Sequence, residues 1–349
     1  MRAVTIEPFI AAAVQAEPCW LDVAAGVDKA VALIEQAASN GAALLAFPET
    51  WIPGYPHFLW LDSQAWGMQF VQRYHQSSIA IGDASFSRIA KAAADNAITV
   101  VLGVSERDFG SLYMAQFAFS ADGEVLYTRR KLKPTHVERV LYGEGDGSDL
   151  CVHDVEGIGR LGSLNCWEHL QPLSKYAMYS QGQQVHVASW PSFCLYRGGA
   201  HALGAEVNMN ASQIYAVEGG CFVIAATTVT GPAGLELFGE TEQHRQLLGG
   251  GGGGASRIFA PDGRIISNLL DEHEEGIVYA EIDLSLIPLA KAAADPSGHY
   301  ARPDATQLLF DSRPRRPVVR VTSDMTVSSA TPAAPAAPLD VERLVESVQ

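Results

Sequence analysis

Residues 160–169 read RLGSLNCWEH, a short apolar run that ends at a cysteine and continues with aromatic and polar residues. An apolar strand that stops at a reactive side chain presents that side chain at the rim of a sheet. When nothing else supports it, a cysteine in such a place is more often a packing residue than a nucleophile. The stretch predicts a strand ending near Cys166, and the chemistry of this thiol depends on what the rest of the chain brings to it.

Two earlier segments contain the groups that a thiol nucleophile needs. Glu49 ends the string Phe-Pro-Glu after an apolar run, and Lys131 lies in the basic string RRKLKPTHVER of residues 129–139. A carboxylate can take the thiol proton, and a cation can stabilise the thiolate. Attack on a C≡N or C=O group builds negative charge that an ammonium and a backbone N–H can hold. Glu49, Lys131 and Cys166 are therefore candidates for one catalytic group.

Helical patterns alternate with short apolar runs along the chain. Helices are predicted over residues 24–39, 85–96, about 170–180 and 205–217. Strands are predicted over residues 9–14, 42–47, 98–104, 112–119, 124–128, 150–155, 160–164, 185–189, 221–227, 256–260, 264–269 and 276–282. This order favours a mixed sheet system layered with helices over a purely parallel Rossmann sheet.

The composition is that of a large globular chain, with 349 residues of which 48% are hydrophobic and 18% charged. A net charge of −15 disfavours binding to nucleic acid or to an acidic membrane. The five cysteines form no Cys-x-x-Cys pair, so neither a zinc site nor a thioredoxin-like motif is indicated. Without a signal peptide or a run of 18 apolar residues, the expected location is the cytoplasm.

Two segments differ in composition from the rest of the chain. The six glycines of residues 249–254 lack the strand and helix context of a phosphate-binding loop, which favours a flexible or tightly turned loop. Residues 311–349 are predicted to form a tail after one domain over 1–310, largely disordered or docked on an oligomer. Residues 340–349 have helical spacing and form either a short helix or a frayed end.

Three segments, taken together, resemble the signature segments of the nitrilase (carbon–nitrogen hydrolase) superfamily, and they occur in the expected order. They are residues 47–49, 130–136 and 166–169. The Cys-Trp-Glu string, followed by Pro172 and Leu173, resembles the nitrilase branch, and residues 51–56 and 168–229 are similar to bacterial arylacetonitrilases. The resemblance covers roughly residues 8–310 and does not include the tail. The glycine run is longer than the cluster usual in this family.

The resemblance implies an α/β fold, namely a four-layer α-β-β-α sandwich that dimerises through its helices and often builds spiral assemblies. It also implies a catalytic triad that uses no metal and no organic cofactor. Glu49 would be the general base, Lys131 the stabilising cation and Cys166 the nucleophile. Glu138 matches a second glutamate near the site, and the backbone N–H of Trp167 would complete an oxyanion hole.

The activity implied is hydrolysis of arylacetonitriles, or related arylaliphatic nitriles, to carboxylic acid and ammonia. The reaction would pass through a covalent thioimidate and thioester on Cys166, with some amide as by-product. The alternatives are an aliphatic amidase or a cyanide hydrolase on the same scaffold, or a non-catalytic filament-forming protein.

Four aromatic residues are candidates for an aryl-binding pocket, although isolated aromatics are usually core residues. They are Tyr55, Trp167, Trp190 and Phe193. Two histidines, His136 and His169, flank the motifs and could suggest a Cys–His dyad, but a supporting structural role is favoured for both. A hydrogen-bonding role is favoured for Glu168. The cysteines other than Cys166 are predicted to be packing residues.

Overall fold

The structure is a computed structural model that describes residues 6–315, 319–321 and 327–329. Its strands are β1 (Phe9–Ala16), β2 (Ala42–Ala46), β3 (Thr99–Asp108), β4 (Ser111–Phe119), β5 (Val125–Arg130), β6 (Tyr142–Gly143), β7 (Val152–Val155), β8 (Gly159–Asn165), β9 (Val185–Trp190), β10 (Phe222–Thr228), β11 (Arg257–Phe259), β12 (Gly276–Ile282), β13 (Val319–Val321) and β14 (Val327–Ser329).

The helices frame this sheet system. They are α1 (Val23–Ser39), α2 (Phe58–Leu61), α3 (Gln64–Gln76), α4 (Ala84–Asp95), α5 (Pro172–Tyr179), α6 (Ala205–Gly219), α7 (Pro232–Phe238), α8 (Glu242–Leu247) and α9 (Ile287–Ala293). Short 3-10 turns cover His136–Val140, Gly147–Asp149, Cys166–Leu170, His201–Leu203 and Leu284–Leu286.

One hydrogen-bonded sheet supplies both central layers. Its strand order is β5-β4-β3-β2-β1-β10-β9-β8-β7, and β12, β11 and β6 pair with β1, β10 and β4 respectively. The parallel contact between β1 and β10 involves only the last residues of each strand, with Gln15 opposite Thr227 and Ala16 opposite Thr228. Along the rest of its length β1 pairs with β12 instead. The sheet is therefore two halves that meet at one end.

Alternation along the strands separates the layers, because successive side chains point to opposite faces. On β1, Ala12 and Val14 pack in a core shared with α1 and α4. Ala11 and Ala13 pack in a second core, against β9 and β10 of the other half. On β10, Val223 packs with α5 and α6 on the outer side. The layers run helix, sheet, sheet, helix, which confirms the expected α-β-β-α sandwich.

A buried ion pair links the two sheet halves. Arg129 on β5 donates from two guanidinium nitrogens to the two carboxylate oxygens of Glu168, at 2.9 and 2.8 Å. The same oxygens accept hydrogen bonds from the backbone N–H groups of Asn165 and Leu132. Burial alone would raise the pKa of Glu168, but Arg129 and these hydrogen bonds overcome burial and lower it. Glu168 therefore stays ionised and supports both strand ends, in agreement with the hydrogen-bonding role favoured from the sequence.

The predicted strand over residues 264–269 is wrong. Only Ile265 makes an isolated bridge, to Phe259. The Ser267 hydroxyl accepts the hydrogen bond of the Ile258 backbone N–H, so a side chain replaces the ladder contact. The helices over residues 58–76 and 232–247 were not predicted.

The end of the domain packs back onto the outer core. Leu308 and Phe310 contact the cluster that surrounds α5 and α6, and Arg315 donates its backbone N–H to Asp146 at 2.6 Å. Strands β13 and β14 pair antiparallel. The division at residue 310 stays a prediction, and the proposed terminal helix lies outside the described residues. In the described ranges, no helix combines the length and apolar character needed to cross a membrane.

We expect Arg129→Leu to lower the free energy of unfolding by about 3–5 kcal/mol, because it leaves the Glu168 carboxylate buried without its cation. Chemical denaturation followed by circular dichroism measures this change. The matched control is Arg88→Leu, which breaks an exposed pair with Asp28 and should cost less than about 1 kcal/mol. Similar losses in the two variants would contradict the assigned weight of the buried pair.

Candidate active site

Three strand ends bring the predicted triad together. Glu49 follows β2, Lys131 follows β5, and Cys166 follows β8 on the other half of the sheet. The backbone of Glu49 is held by its N–H donating to the Trp190 carbonyl, and that of Lys131 by its N–H donating to the Met114 carbonyl. The backbones of Glu49 and Lys131 are thus each fixed by a main-chain bond to a residue of a strand.

The Lys131 ammonium lies between two carboxylates. Its Nζ is 2.9 Å from Oε1 of Glu49 and 2.8 Å from Oε2 of Glu138, and all three side chains are buried. Burial alone would lower the pKa of Lys131, but the two carboxylates overcome burial and raise it. The lysine is therefore a buried cation held between the two glutamates.

The two glutamates differ in the hydrogen bonds that their carboxylate oxygens accept. Glu138 accepts hydrogen bonds from Tyr55 Oη at 2.6 Å, from Thr135 N at 2.5 Å and from Lys131 Nζ at 2.8 Å. Within residues 6–315, neither oxygen of Glu49 accepts a hydrogen bond apart from its ion pair with Lys131. Glu49 therefore keeps lone pairs available for a proton, whereas Glu138 is occupied in holding Lys131.

Cys166 begins a 3-10 turn with a left-handed backbone, φ +47°, directly after the extended residue Asn165. A left-handed conformation is costly for a residue other than glycine and needs support from its surroundings. Part of that support comes from His169, whose Nδ1 lies 2.7 Å from the Cys166 carbonyl oxygen. The sharp change from strand to turn places the thiol at the wall of a cavity.

The thiol is protonated at rest. Burial raises the pKa of Cys166 well above its ordinary value, with Glu49 adding to this rise, while Lys131 and the backbone N–H of Trp167 act in the opposite direction. Burial also raises the pKa of Glu49 to about 8, although Lys131 opposes the rise. A carboxyl group poised near neutral pH is suited to exchange protons with a neighbouring thiol or water.

The cavity has a volume of about 410 Å³, including the part that opens to solvent. Its lining is mostly apolar and aromatic. The lining residues are Tyr55, Trp60, Thr135, Glu138, Cys166, Trp167, Pro191, Ser192, Phe193, Leu195, Leu203 and Asn208. Of the aromatic candidates from the sequence, Tyr55, Trp167 and Phe193 are present.

The assignment of Trp190 to the pocket is wrong. Its side chain is fully buried, stacks on the His169 imidazole with ring centroids 5.0 Å apart, and donates from Nε1 to Ser212 Oγ at 3.0 Å. All six residues of β9 are buried, so its last residue lies in the core rather than at a rim. Trp190 supports the site through its carbonyl, which accepts the N–H of Glu49, and through its contact with His169.

Several pocket residues were not proposed as binding residues from the sequence. Asn208 on α6 accepts a hydrogen bond from Trp167 Nε1 at 3.0 Å and so fixes the plane of that indole. Trp60 donates from its own Nε1 to Tyr55 Oη at 3.0 Å. An asparagine among the buried residues of a helix is a usable signal, because a buried amide requires partners.

His169 does not form a dyad with the thiol. Its Nδ1 faces the Cys166 carbonyl, and its Nε2 lies 2.9 Å from Nε2 of His186. Burial lowers the pKa of His169 to about 4, so the ring is neutral near pH 7. His136 instead stacks on the Trp60 indole. Among the described residues, no group of three His, Cys, Asp or Glu side chains is placed to hold a metal ion.

Comparison with known proteins gives consistent results. A family model described as carbon-nitrogen hydrolase matches residues 10–292. A nitrilase of Pseudomonas syringae pv. syringae is 53% identical over 93% of this chain and 95% of its own length. An aliphatic nitrilase of Rhodococcus rhodochrous is 53% identical over 89% and 84%, and an arylacetone-specific nitrilase of Alcaligenes faecalis is 48% identical over 92% and 90%.

The fold has solved counterparts as well. A carbon-nitrogen hydrolase from Helicobacter pylori G27 superposes with a TM-score of 0.66 at 18% sequence identity, covering 86% of this chain and 97% of that one. At this identity the match bears on the fold alone, and it agrees with the layered sandwich described above.

We expect Lys131→Met to slow alkylation of Cys166 by iodoacetamide at pH 8 by at least about tenfold, because an adjacent cation lowers the pKa of a thiol by about one unit or more. Mass spectrometry of the Cys166 peptide over time measures the rate. The control, Lys133→Met, removes an exposed cation two residues away and should stay within about twofold of the unmodified chain. Equal rates in the two variants would show that Lys131 does not act on the sulfur.

Proposed function

The chain belongs to the carbon–nitrogen hydrolase family and is a nitrilase, and we propose that it hydrolyses arylacetonitriles and related arylaliphatic nitriles to carboxylic acids and ammonia. One observation carries this proposal: the Cys166 thiol, with Glu49 and Lys131 behind it, faces a cavity walled by aromatic side chains. Relatives named for aliphatic and for arylacetone substrates differ little in identity to this chain, so identity does not decide the substituent. The indole and phenyl walls favour an aryl group.

In the first step, Glu49 takes the thiol proton and the Cys166 sulfur attacks the nitrile carbon. The electron pair of the C≡N bond moves to nitrogen, where the Lys131 ammonium stabilises it and a proton returns from Glu49. The product is a thioimidate on Cys166. A raised pKa suits Glu49 to this exchange, because it must both accept and return a proton near neutral pH.

In the second step, a water molecule gives a proton to Glu49 and adds to the thioimidate carbon. Protonation of the nitrogen then lets the tetrahedral intermediate expel ammonia and leave a thioester. A second water releases the carboxylic acid and restores the thiol, so that two waters are consumed for each nitrile. If the tetrahedral intermediate expels the thiolate instead, the product is an amide.

Glu138 acts as a positioning residue in this scheme. Its oxygens already accept hydrogen bonds from Tyr55, Thr135 and Lys131, so they are engaged in contacts within the protein. It holds the ammonium at a set place against Glu49 and the thiol.

We expect the unmodified chain to convert phenylacetonitrile to phenylacetic acid and ammonia, with phenylacetamide as a minor product. Cys166→Ala and Glu49→Gln should each lower kcat by more than about 10⁴-fold, because each removes a group that makes or breaks a bond. Liquid chromatography with mass spectrometry quantifies acid and amide, and a coupled assay quantifies ammonia. Cys221→Ala, at a buried cysteine outside the pocket lining, is the matched control and should retain activity.

The same assay separates the alternative functions. Acid formed from phenylacetamide but not from the nitrile would establish an amidase, and turnover confined to cyanide would establish a cyanide hydrolase. Absence of turnover on all three substrates, or nitrile turnover unchanged in Cys166→Ala, would contradict the proposed site.

We also propose that two copies of the chain associate through α5 and α6. These helices pack together, with Lys175 paired to Glu218, and they carry large exposed apolar side chains on the outer layer. Leu173 is 69% exposed, Ile214 48% and Val217 46%. Exposed apolar side chains on one outer helical layer support an interface at this layer. Such a dimer would be the building block of a larger assembly.

We expect the double variant Leu173→Lys with Ile214→Glu to shift the protein toward the monomer, because the new charges would be desolvated in the interface. Size-exclusion chromatography with light scattering measures the mass. Phe109→Lys is the control, since this 94% exposed side chain lies at the β3–β4 turn, away from α5 and α6. A monomeric unmodified chain, or an unchanged mass in the double variant, would contradict this interface.

A further inference from the structure

The glycine run of residues 249–254 takes no part in the reaction described above, yet it contacts one wall of the substrate pocket. That wall is the segment of residues 191–195, which follows β9. The members of the wall that line the pocket are Pro191, Ser192, Phe193 and Leu195. Because the wall is a loop, contacts with other parts of the chain must determine its distance from Cys166.

Two hydrogen bonds tie the wall to the run. The backbone N–H of Phe193 donates to the Gly253 carbonyl at 3.0 Å. The hydroxyl of Ser192 donates to the Gly252 carbonyl at 2.7 Å. Both donors belong to pocket-lining residues, so the backbone of the run is bonded directly to the surface that substrate would touch.

The two backbones are too close for any side chain between them. A Cβ atom at Gly253 would lie 2.5 Å from Cys194 N, 2.5 Å from Ser192 Oγ and 2.6 Å from Phe193 N. These distances are far below van der Waals contact, and the backbone nitrogens of Phe193 and Cys194 cannot move without moving the wall. Gly253 also has a left-handed backbone, φ +80°.

On its other side the run is attached to the sheet. Gly252 and Thr230 exchange backbone hydrogen bonds at 2.9 and 2.8 Å, and Thr230 follows shortly after β10. A Cβ atom at Gly251 would lie 2.4 Å from the Thr230 carbonyl oxygen. Gly254 donates its N–H to the Glu272 carbonyl at 2.9 Å. The run is thus a rigid bridge from the sheet to the wall.

We propose that the glycine run is a specificity-determining element that sets the position of the pocket wall and thereby the size of the nitrile substituent that reaches Cys166. The nature of the substrate rests on the function proposed above, whereas the position of the wall does not. The run is a positioning element, since it acts only through Ser192 and Phe193.

Gly250 provides a matched control within the same run. Its backbone is also left-handed, with φ +79°, so alanine there carries a similar conformational cost. A Cβ atom at Gly250 would have no neighbour within 4 Å. Gly253→Ala and Gly250→Ala therefore differ in one respect, the collision with the wall.

Gly253→Ala should push the wall into the pocket and lower the ratio of kcat/KM for phenylacetonitrile to that for propionitrile by about tenfold or more, since misplacements of about 1 Å have effects of this size. Gly250→Ala should leave the ratio within about twofold. A proportional loss on both nitriles in Gly253→Ala, or an equal change of the ratio in Gly250→Ala, would overturn the proposal.

A second measurement of the wall position does not require turnover of a nitrile. The rates of Cys166 alkylation by iodoacetamide and by its N-benzyl derivative, followed by mass spectrometry, report pocket size directly. If the unmodified chain hydrolyses no nitrile, the proposed function fails, but this ratio still tests the wall. We expect the benzyl reagent alone to be slowed in Gly253→Ala. Equal slowing of both reagents would overturn the proposal.

Ser192→Ala covers the case in which Gly253→Ala does not fold. It removes the bond to the Gly252 carbonyl and adds no bulk, so the wall loosens and the aryl group loses a fixed surface. The ratio of aryl to small-reagent reactivity should fall here as well. An unchanged ratio would overturn the proposal.

Discussion

The site depends on one buried cation, the Lys131 ammonium, between two carboxylates. Removing the ammonium would leave two buried carboxyl groups without their counter-charge in the interior, where unpaired charge is strongly unfavourable. The three side chains come from the ends of two strands of one sheet half and from a 3-10 turn, and the sulfur they act on comes from the other half. The packing of the strands and the electrostatic balance of the site therefore depend on each other. The buried charges are stable only in the assembled layers, and the assembled layers hold them at this one place.

Glu49 and Glu138 have the same side chain but different roles in the site. Glu138 is surrounded by donors, whereas Glu49 faces the lysine and little else, and burial raises the pKa of Glu49 to about 8. A single lysine in this way contacts one glutamate whose oxygens are occupied by donors and another whose oxygens stay free to exchange a proton. The two residues are equally buried, and they differ in the hydrogen-bond partners of their oxygens.

The sequence was sufficient to predict the strand ends that carry Glu49, Lys131 and Cys166, because an apolar run that stops at a polar or reactive residue has one simple interpretation in a layered fold. The sequence was insufficient to place Trp190. A tryptophan at the end of a fully buried strand has the same local sequence pattern as a tryptophan at the rim of a pocket. The contacts of Asn208 and of the glycine run could not be predicted from local sequence patterns, for another reason. Their contacts, to Trp167 and to residues 192–194, lie about 40 to 60 positions away, so no window of sequence contains both partners.

A series of uncharged groups, joined by hydrogen bonds that all run in one direction, supports the turn that carries the Cys166 sulfur. His169 holds the Cys166 carbonyl and is itself met by His186, whose Nδ1 lies 2.8 Å from the Gln183 amide nitrogen. With Nδ1–H on His169 and Nε2–H on His186, every contact in this chain pairs one donor with one acceptor, and an added proton would turn an acceptor into a second donor. Burial lowers the pKa of both imidazoles, to about 4 for His169. Hydrolysis of a nitrile liberates an acid and a base side by side, and near neutral pH the support beneath the nucleophile stays uncharged, so its hydrogen bonds keep their direction.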